Sequence, residues 1–182
     1  MKMKSIATSI YLCILFLILT VPQAGCQNTG QEDTTKTKLM TAGMEIMTSA
    51  NTCGLITIDE EGLSRVRTMD PFPPENDFTV WFGTNSKSRK AGEIKKNNRV
   101  TLYYTDPDDS GYVTIHGTAQ LIDDPIEKEQ RWKKEWEAFY PDKTNGYLLI
   151  KVSPIWMEVL SPPRGIFGDD KTWLPPRVVF DK

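Results

Sequence analysis

Cysteine and histidine are scarce: the 182-residue chain carries three cysteines and a single histidine, His116. No CxxC pair or Cys/His cluster with metal-ligand spacing occurs, so nothing points to a zinc site or a Ser-His-Asp triad. Charge of one sign is also lacking. Lysine and arginine nearly balance aspartate and glutamate, for a net charge of −2. A protein whose whole surface binds nucleic acid usually carries an excess of Lys and Arg, so any basic patch here has to be local. The one long apolar run, Ile10 to Leu19, is shorter than the roughly 20 residues a membrane helix needs.

That run has another reading. Lys2 and Lys4 precede it, and Val21, Pro22, Ala24 and Gly25 follow, the layout of an export signal. Cys26 comes directly after the small pair, similar to a bacterial lipoprotein signal in which that cysteine is lipidated, although Gln23 stands where an aliphatic residue is usual. The alternative is simple cleavage near Ala24. The expectation is an exported protein, membrane-anchored only through an N-terminal lipid on Cys26, with residues 1–26 as signal. Once Cys26 is lipidated and Cys13 removed, Cys53 is left without a partner and reads as a small buried hydrophobe.

Residues 27–38 are polar, with almost nothing to bury, and read as a tether before a domain spanning 39–182. Leu39, Met40, Met44 and Met47 recur at helical spacing. Strand patterns follow at Cys53 to Asp59, Leu63 to Met69, Phe78 to Gly83, Arg99 to Thr105, Tyr112 to Ile122 and Tyr147 to Leu160. Short connections between them imply an antiparallel barrel or sandwich. Gly117 predicts a bulge or corner inside its strand. Asp124, Pro125 and Glu127 form a helix-start signature with a capping box, placing Trp132, Trp136 and Phe139 on one helical face as packing residues.

The chemistry concentrates in one polar turn, Thr84, Asn85, Ser86, Lys87, Ser88, Arg89 and Lys90, leading into a helix. A helix start offers free backbone N–H groups and a positive dipole end, and Arg and Lys add charge-assisted bonds, which suits phosphate. A solvated basic helix start is the alternative. Arg65 and Arg67 alternate along a strand and so share one sheet face, where two cations call for an anion or solvent to receive them; beside the basic turn, they suggest a ligand with more than one acceptor group.

The segments SRVRTM, FTVWFGTNSKSRK, NNRVTLYY and YVTIHGTAQLIDD, in this order, resemble the pyridoxamine 5′-phosphate oxidase-like split barrels, especially their general-stress-protein branch. The resemblance covers about Leu39 to Leu160. It implies a mainly β split barrel with flanking helices and FMN as cofactor. By the same resemblance Ser88, Arg89 and Lys90 hold the FMN phosphate, Arg65 and Arg67 lie along the flavin, and Thr84 and Asn85 reach the ribityl and phosphate region. It also implies a homodimer with the site at the interface, for which Trp132, Trp136 and Trp156 are candidates from the second subunit. True vitamin B6 oxidases have a lysine where this chain has Asp70, and a C-terminal Arg and His pair that this chain lacks. The resemblance therefore implies a flavin-dependent oxidoreductase that does not oxidise vitamin B6, or a non-catalytic flavin or haem-type carrier or sensor.

Overall fold

A computed structural model describes residues 29–181; the expected signal and Cys26 lie outside the described residues. Helix α1 (Thr29–Ser49) opens the fold. It starts ten residues before Leu39, so residues 29–38 are helical rather than a loose tether. Tertiary contacts explain the extension, since burial stabilises helices more than propensity does. Leu39, Ala42, Ile46 and Met47 are buried. Upstream, the Lys38 ammonium donates to the Gly165 carbonyl at 2.9 Å. Met40 and Met44 only flank the core, so the buried stripe runs through Ala42 and Ile46 instead.

The strands are β1 (Cys53–Ile58), β2 (Ser64–Met69), β3 (Val80–Asn85), β4 (Arg99–Thr105), β5 (Tyr112–Ile122), β6 (Tyr147–Leu160) and β7 (Arg177–Val179), with helices α2 (Arg89–Lys96) and α3 (Pro125–Gln130). All pairings are antiparallel, in the order β2-β1-β4-β5-β6-β3, with β7 added on β6. The expected bulge is present: the β5–β6 register shifts between His116 and Gly117. A Cβ on Gly117 would stand 2.4 Å from the Ser153 carbonyl oxygen, so only glycine lets β6 come this close.

β2 and β3 are the two ends of the sheet, yet a Pro71–Phe82 bridge joins their neighbourhoods. The sheet therefore rolls into an incompletely closed barrel around Leu55, Phe82, Leu102, Ile115, Ile150 and Met157. The seam between β2 and β3 is where the site forms.

A second cluster joins Trp81, Trp136, Tyr147 and Leu149, with Trp132 and Tyr140 against it. Asp124 caps α3 by accepting from the Ile126 and Glu127 amides, at 3.0 and 2.9 Å. Glu127 pairs with Arg131 instead of closing a capping box. The continuous helix expected to carry Trp132, Trp136 and Phe139 is broken: α3 stops at Gln130, and a 3-10 turn covers Lys134–Ala138. The Tyr147 hydroxyl donates to the Arg131 carbonyl at 2.9 Å, and the Arg131 guanidinium lies 3.9 Å over Trp81. These contacts bend the chain, so that Trp136 is buried while Phe139 is 72% exposed.

Candidate anion site at the barrel seam

β2 presents Arg65 and Arg67 on one face, opposite the buried Thr57 and Leu55 of β1. Both guanidinium groups are paired within the chain, so neither depends on an anion or on solvent to receive it. Arg65 Nε donates to Asp59 at 2.5 Å. Desolvation works to raise the Asp59 carboxyl, but the Leu63 amide and the Arg65 guanidinium outweigh it and hold it below the usual carboxylate range. Arg67 donates to the Thr57 hydroxyl at 2.5 Å, to the Arg65 carbonyl at 2.9 Å and to Glu93 at 2.6 Å.

Glu93 is the centre of the cluster. Its Oε2 also accepts from the Thr57 hydroxyl at 2.6 Å. Its Oε1 stands 3.2 Å from Arg89 Nε, close enough for charge attraction but without hydrogen-bond alignment. Asp59, Thr57 and Glu93 escaped the reading of the sequence. The one available signal was the i, i+4 spacing of Arg89 and Glu93 on a helix.

The polar turn is organised by its own side chains. Asn85 accepts from the Lys87 amide at 2.8 Å. Ser88 is the N-cap of α2 and accepts from the Ala91 amide at 3.3 Å. Buried Thr84 lies 3.1 Å from the Ser88 hydroxyl. Thr84 and Asn85 therefore build the turn. The Lys87 and Lys90 side chains make no ion pair or hydrogen bond among the described residues. Burial, and then the neighbouring Arg67 cation, lower the Lys90 ammonium from its ordinary value, with Glu93 opposing them.

Arg65, Ser88 and Arg89 line one groove of about 580 Å³ with Asp59, Glu93 and Lys87. Arg67 joins them through Glu93, whereas Asn85 opens onto a neighbouring cleft of about 260 Å³ with Phe139 and Tyr140. The arrangement can receive an anion. Among the described residues the Arg89 and Lys90 amides at the start of α2 have no acceptor, the Lys87 ammonium lines the groove while Lys90 stands outside its lining, and Arg89, whose side chain is 69% exposed, can leave Glu93. Among the described residues there is no group of three or more His, Cys, Asp or Glu able to hold a metal ion, and no helix long and apolar enough to cross a membrane.

Other residues that the sequence singles out lie elsewhere. His116 is on the outer sheet face, with Nδ1 3.1 Å from the Thr101 hydroxyl and its ring stacked 3.6 Å from Trp156. Trp136 and Trp132 pack inside their own chain, so of the three tryptophans proposed to reach a second subunit only Trp156 stands on that outer face. Asp70 takes the Lys133 ammonium with both oxygens at 2.7 Å. Cys53 is buried, which pushes its thiol up to about 12 despite a contact with Tyr104 that lowers it, so it stays protonated.

The rolled, incompletely closed antiparallel sheet, with a basic, N-capped helix start at its seam, is a split barrel. A family model described as "Pyridoxamine 5'-phosphate oxidase like" matches residues 39–159, and the chain belongs to that family. Solved structures agree on the fold. General stress protein 26 from Bacillus anthracis is 22% identical, with 80% of this chain and 98% of that one covered, at TM-score 0.59. A Clostridium acetobutylicum protein related to general stress protein 26 is 24% identical, with 68% and 89% covered, at TM-score 0.61. An F420 reductase is 20% identical, with 62% and 93% covered, at TM-score 0.51. No curated protein matches the chain.

Proposed function

We propose that this chain binds FMN, seating the phosphate on the first turn of α2 against Lys90 and Arg89. The observation that carries the reading is the N-capped start of α2 beside the fixed Arg67, with the half-buried Lys90 ammonium adjoining it and making no ion pair or hydrogen bond among the described residues. Arg89 can turn from Glu93 to the phosphate because its own side chain is 69% exposed and lacks hydrogen-bond alignment with Glu93 Oε1, while Arg67 and Thr57 keep their bonds to Oε2. Arg67 stays where Thr57 and Glu93 hold it and supplies a fixed positive charge. When bound, FMN supplies hydride or electron transfer, and the protein contributes orientation and charge. The family's vitamin B6 activity is not carried over, because Asp70 stands where the resemblance calls for a lysine and the chain lacks the C-terminal Arg and His pair.

Flavin titration of apoprotein tests this. Each charge-assisted bond contributes about 1.5–3 kcal/mol, so FMN should bind more than about tenfold tighter than riboflavin, and Lys90→Ala should erase most of that margin. Equal affinity for the two, or none for either, would overturn the reading. Reduction of bound flavin by NAD(P)H followed by reoxidation would mark an oxidoreductase; its absence would favour a carrier or sensor.

Two features extend the reading. A row of directly opposed residues, Val66, Ile56, Thr101, His116, Trp156 and Val179, crosses six strands on the outer sheet face. We take this face as the contact of a homodimer, with light scattering of wild type and Val66→Glu as the check. We also take Cys26 as a lipidated anchor on an exported chain, to be checked by mass spectrometry of the membrane-extracted protein.

A further inference from the structure

The loop between β6 and β7 exposes three large apolar side chains that the flavin reading does not use: Phe167 at 63%, Trp173 at 84% and Leu174 at 64%. It is tightly built. Asp169 accepts from the Lys171 and Thr172 amides and from the Thr172 hydroxyl, at 3.0, 2.8 and 2.9 Å. Backbone bonds from Asp169 to Leu174 and from Trp173 to Asp169 close the turn, at 3.0 and 2.8 Å. Trp173 has φ +59, a left-handed conformation that a bulky residue adopts only when its surroundings impose it. The turn thus holds an indole out into solvent.

Its place in the fold indicates what covers it. Arg164 contacts Glu45 of α1, and the next residue, Gly165, receives Lys38 two turns earlier in that helix. The chain is therefore travelling toward the N-terminal end of α1 as it enters the loop. On the return, Asp181 meets Lys36 at 3.6 Å. Helix α1 begins three residues after Cys26, and Thr29 lies roughly 14 Å beyond Lys38 along the helix axis. Both flanks of the loop therefore meet the part of α1 that leads back in sequence toward Cys26.

We propose that the Phe167–Leu174 loop is a membrane-contacting tip that seats Trp173, with Phe167 and Leu174, in the interfacial layer of the bilayer. The proposal rests on the lipid-anchor reading. Three side chains cover a few hundred Å², well short of the roughly 1,200 Å² of a stable protein interface. Tryptophan, with an apolar body and one N–H donor, suits the membrane–water boundary. Asp169 is occupied within its own turn, and Asp170 and Lys171 offset each other, so the contact needs no anionic lipid.

The test uses the mature full-length protein, extracted from membranes and reconstituted into phosphatidylethanolamine–phosphatidylglycerol vesicles containing brominated phosphatidylcholine. Bromolipid should quench wild-type tryptophan emission, and Trp173→Phe should lower the quenched fraction by about twofold or more, since Trp173 is the one indole placed in the boundary. Leu174→Ser, which keeps Trp173, should also reduce quenching and serves if Trp173→Phe fails to fold. Protein that floats with the vesicles but shows equal quenching in wild type and variants would overturn the tip and leave the anchor standing. Protein that does not float would overturn both.

Discussion

Replacing Glu93 by Gln removes one negative charge from the point where Arg67, Thr57 and Arg89 converge. The Arg67 side chain is 18% exposed and that of Glu93 only 4%. Breaking a fully buried pair costs about 3–5 kcal/mol. Arg67 retains some solvent, and Gln keeps an oxygen for it and for Thr57, so about 2 kcal/mol is expected. For a domain of this size that lowers the midpoint of thermal unfolding by roughly 4–8 °C. Arg89→Ala removes the partner of the other carboxylate oxygen, but that side chain is 69% exposed, so the expected loss is below about 0.5 kcal/mol. Urea unfolding of wild type and both variants, with equal slopes, measures the contrast. If Glu93→Gln matched wild type, or if Arg89→Ala cost as much as Glu93→Gln, the buried Arg67–Glu93 pair would not be what anchors α2 to the edge of the sheet.

Gly83→Ala would place a methyl 2.5 Å from the Trp136 ring; a loss of about 1–3 kcal/mol and an altered near-ultraviolet circular dichroism spectrum are expected, and an unchanged spectrum would contradict the packing. Cys53 should resist iodoacetamide at pH 8 in the folded protein and react on unfolding, as read by mass spectrometry of its peptide. Burial, ahead of the opposing Glu158 and the reinforcing Arg177, lowers the His116 imidazole from 6.5. The unfolded chain therefore binds the proton more readily, so this contribution to stability is complete above about pH 6.5 and is lost as pH falls through the lowered folded value. His116→Phe should flatten that part of the stability profile; an unchanged profile would assign the pH dependence to other groups.

Much of this protein was legible in the sequence because strands and turns are local. Three strands, Arg99 to Thr105, Tyr112 to Ile122 and Tyr147 to Leu160, carry the bounds their alternation predicts, and Gly117 marks its bulge because no side chain fits beside Ser153. That the polar turn leads into a helix was readable for the same reason. What the pattern could not convey was who meets whom across the barrel. Glu93 is 26 residues from Arg67, and only the rolling of the sheet puts α2 beside β2, turning two apparently free arginines into paired ones and leaving Lys87 and Lys90 without an ion pair among the described residues. Tertiary contacts likewise carried α1 back to Thr29 and broke the helix expected through Trp136. The sequence by itself determined six of the seven strands, the basic turn and the family, while β7 formed only by pairing with β6. The tertiary structure alone decided which of the basic side chains remain free to hold an anion, because charge neutralisation depends on distances across the fold.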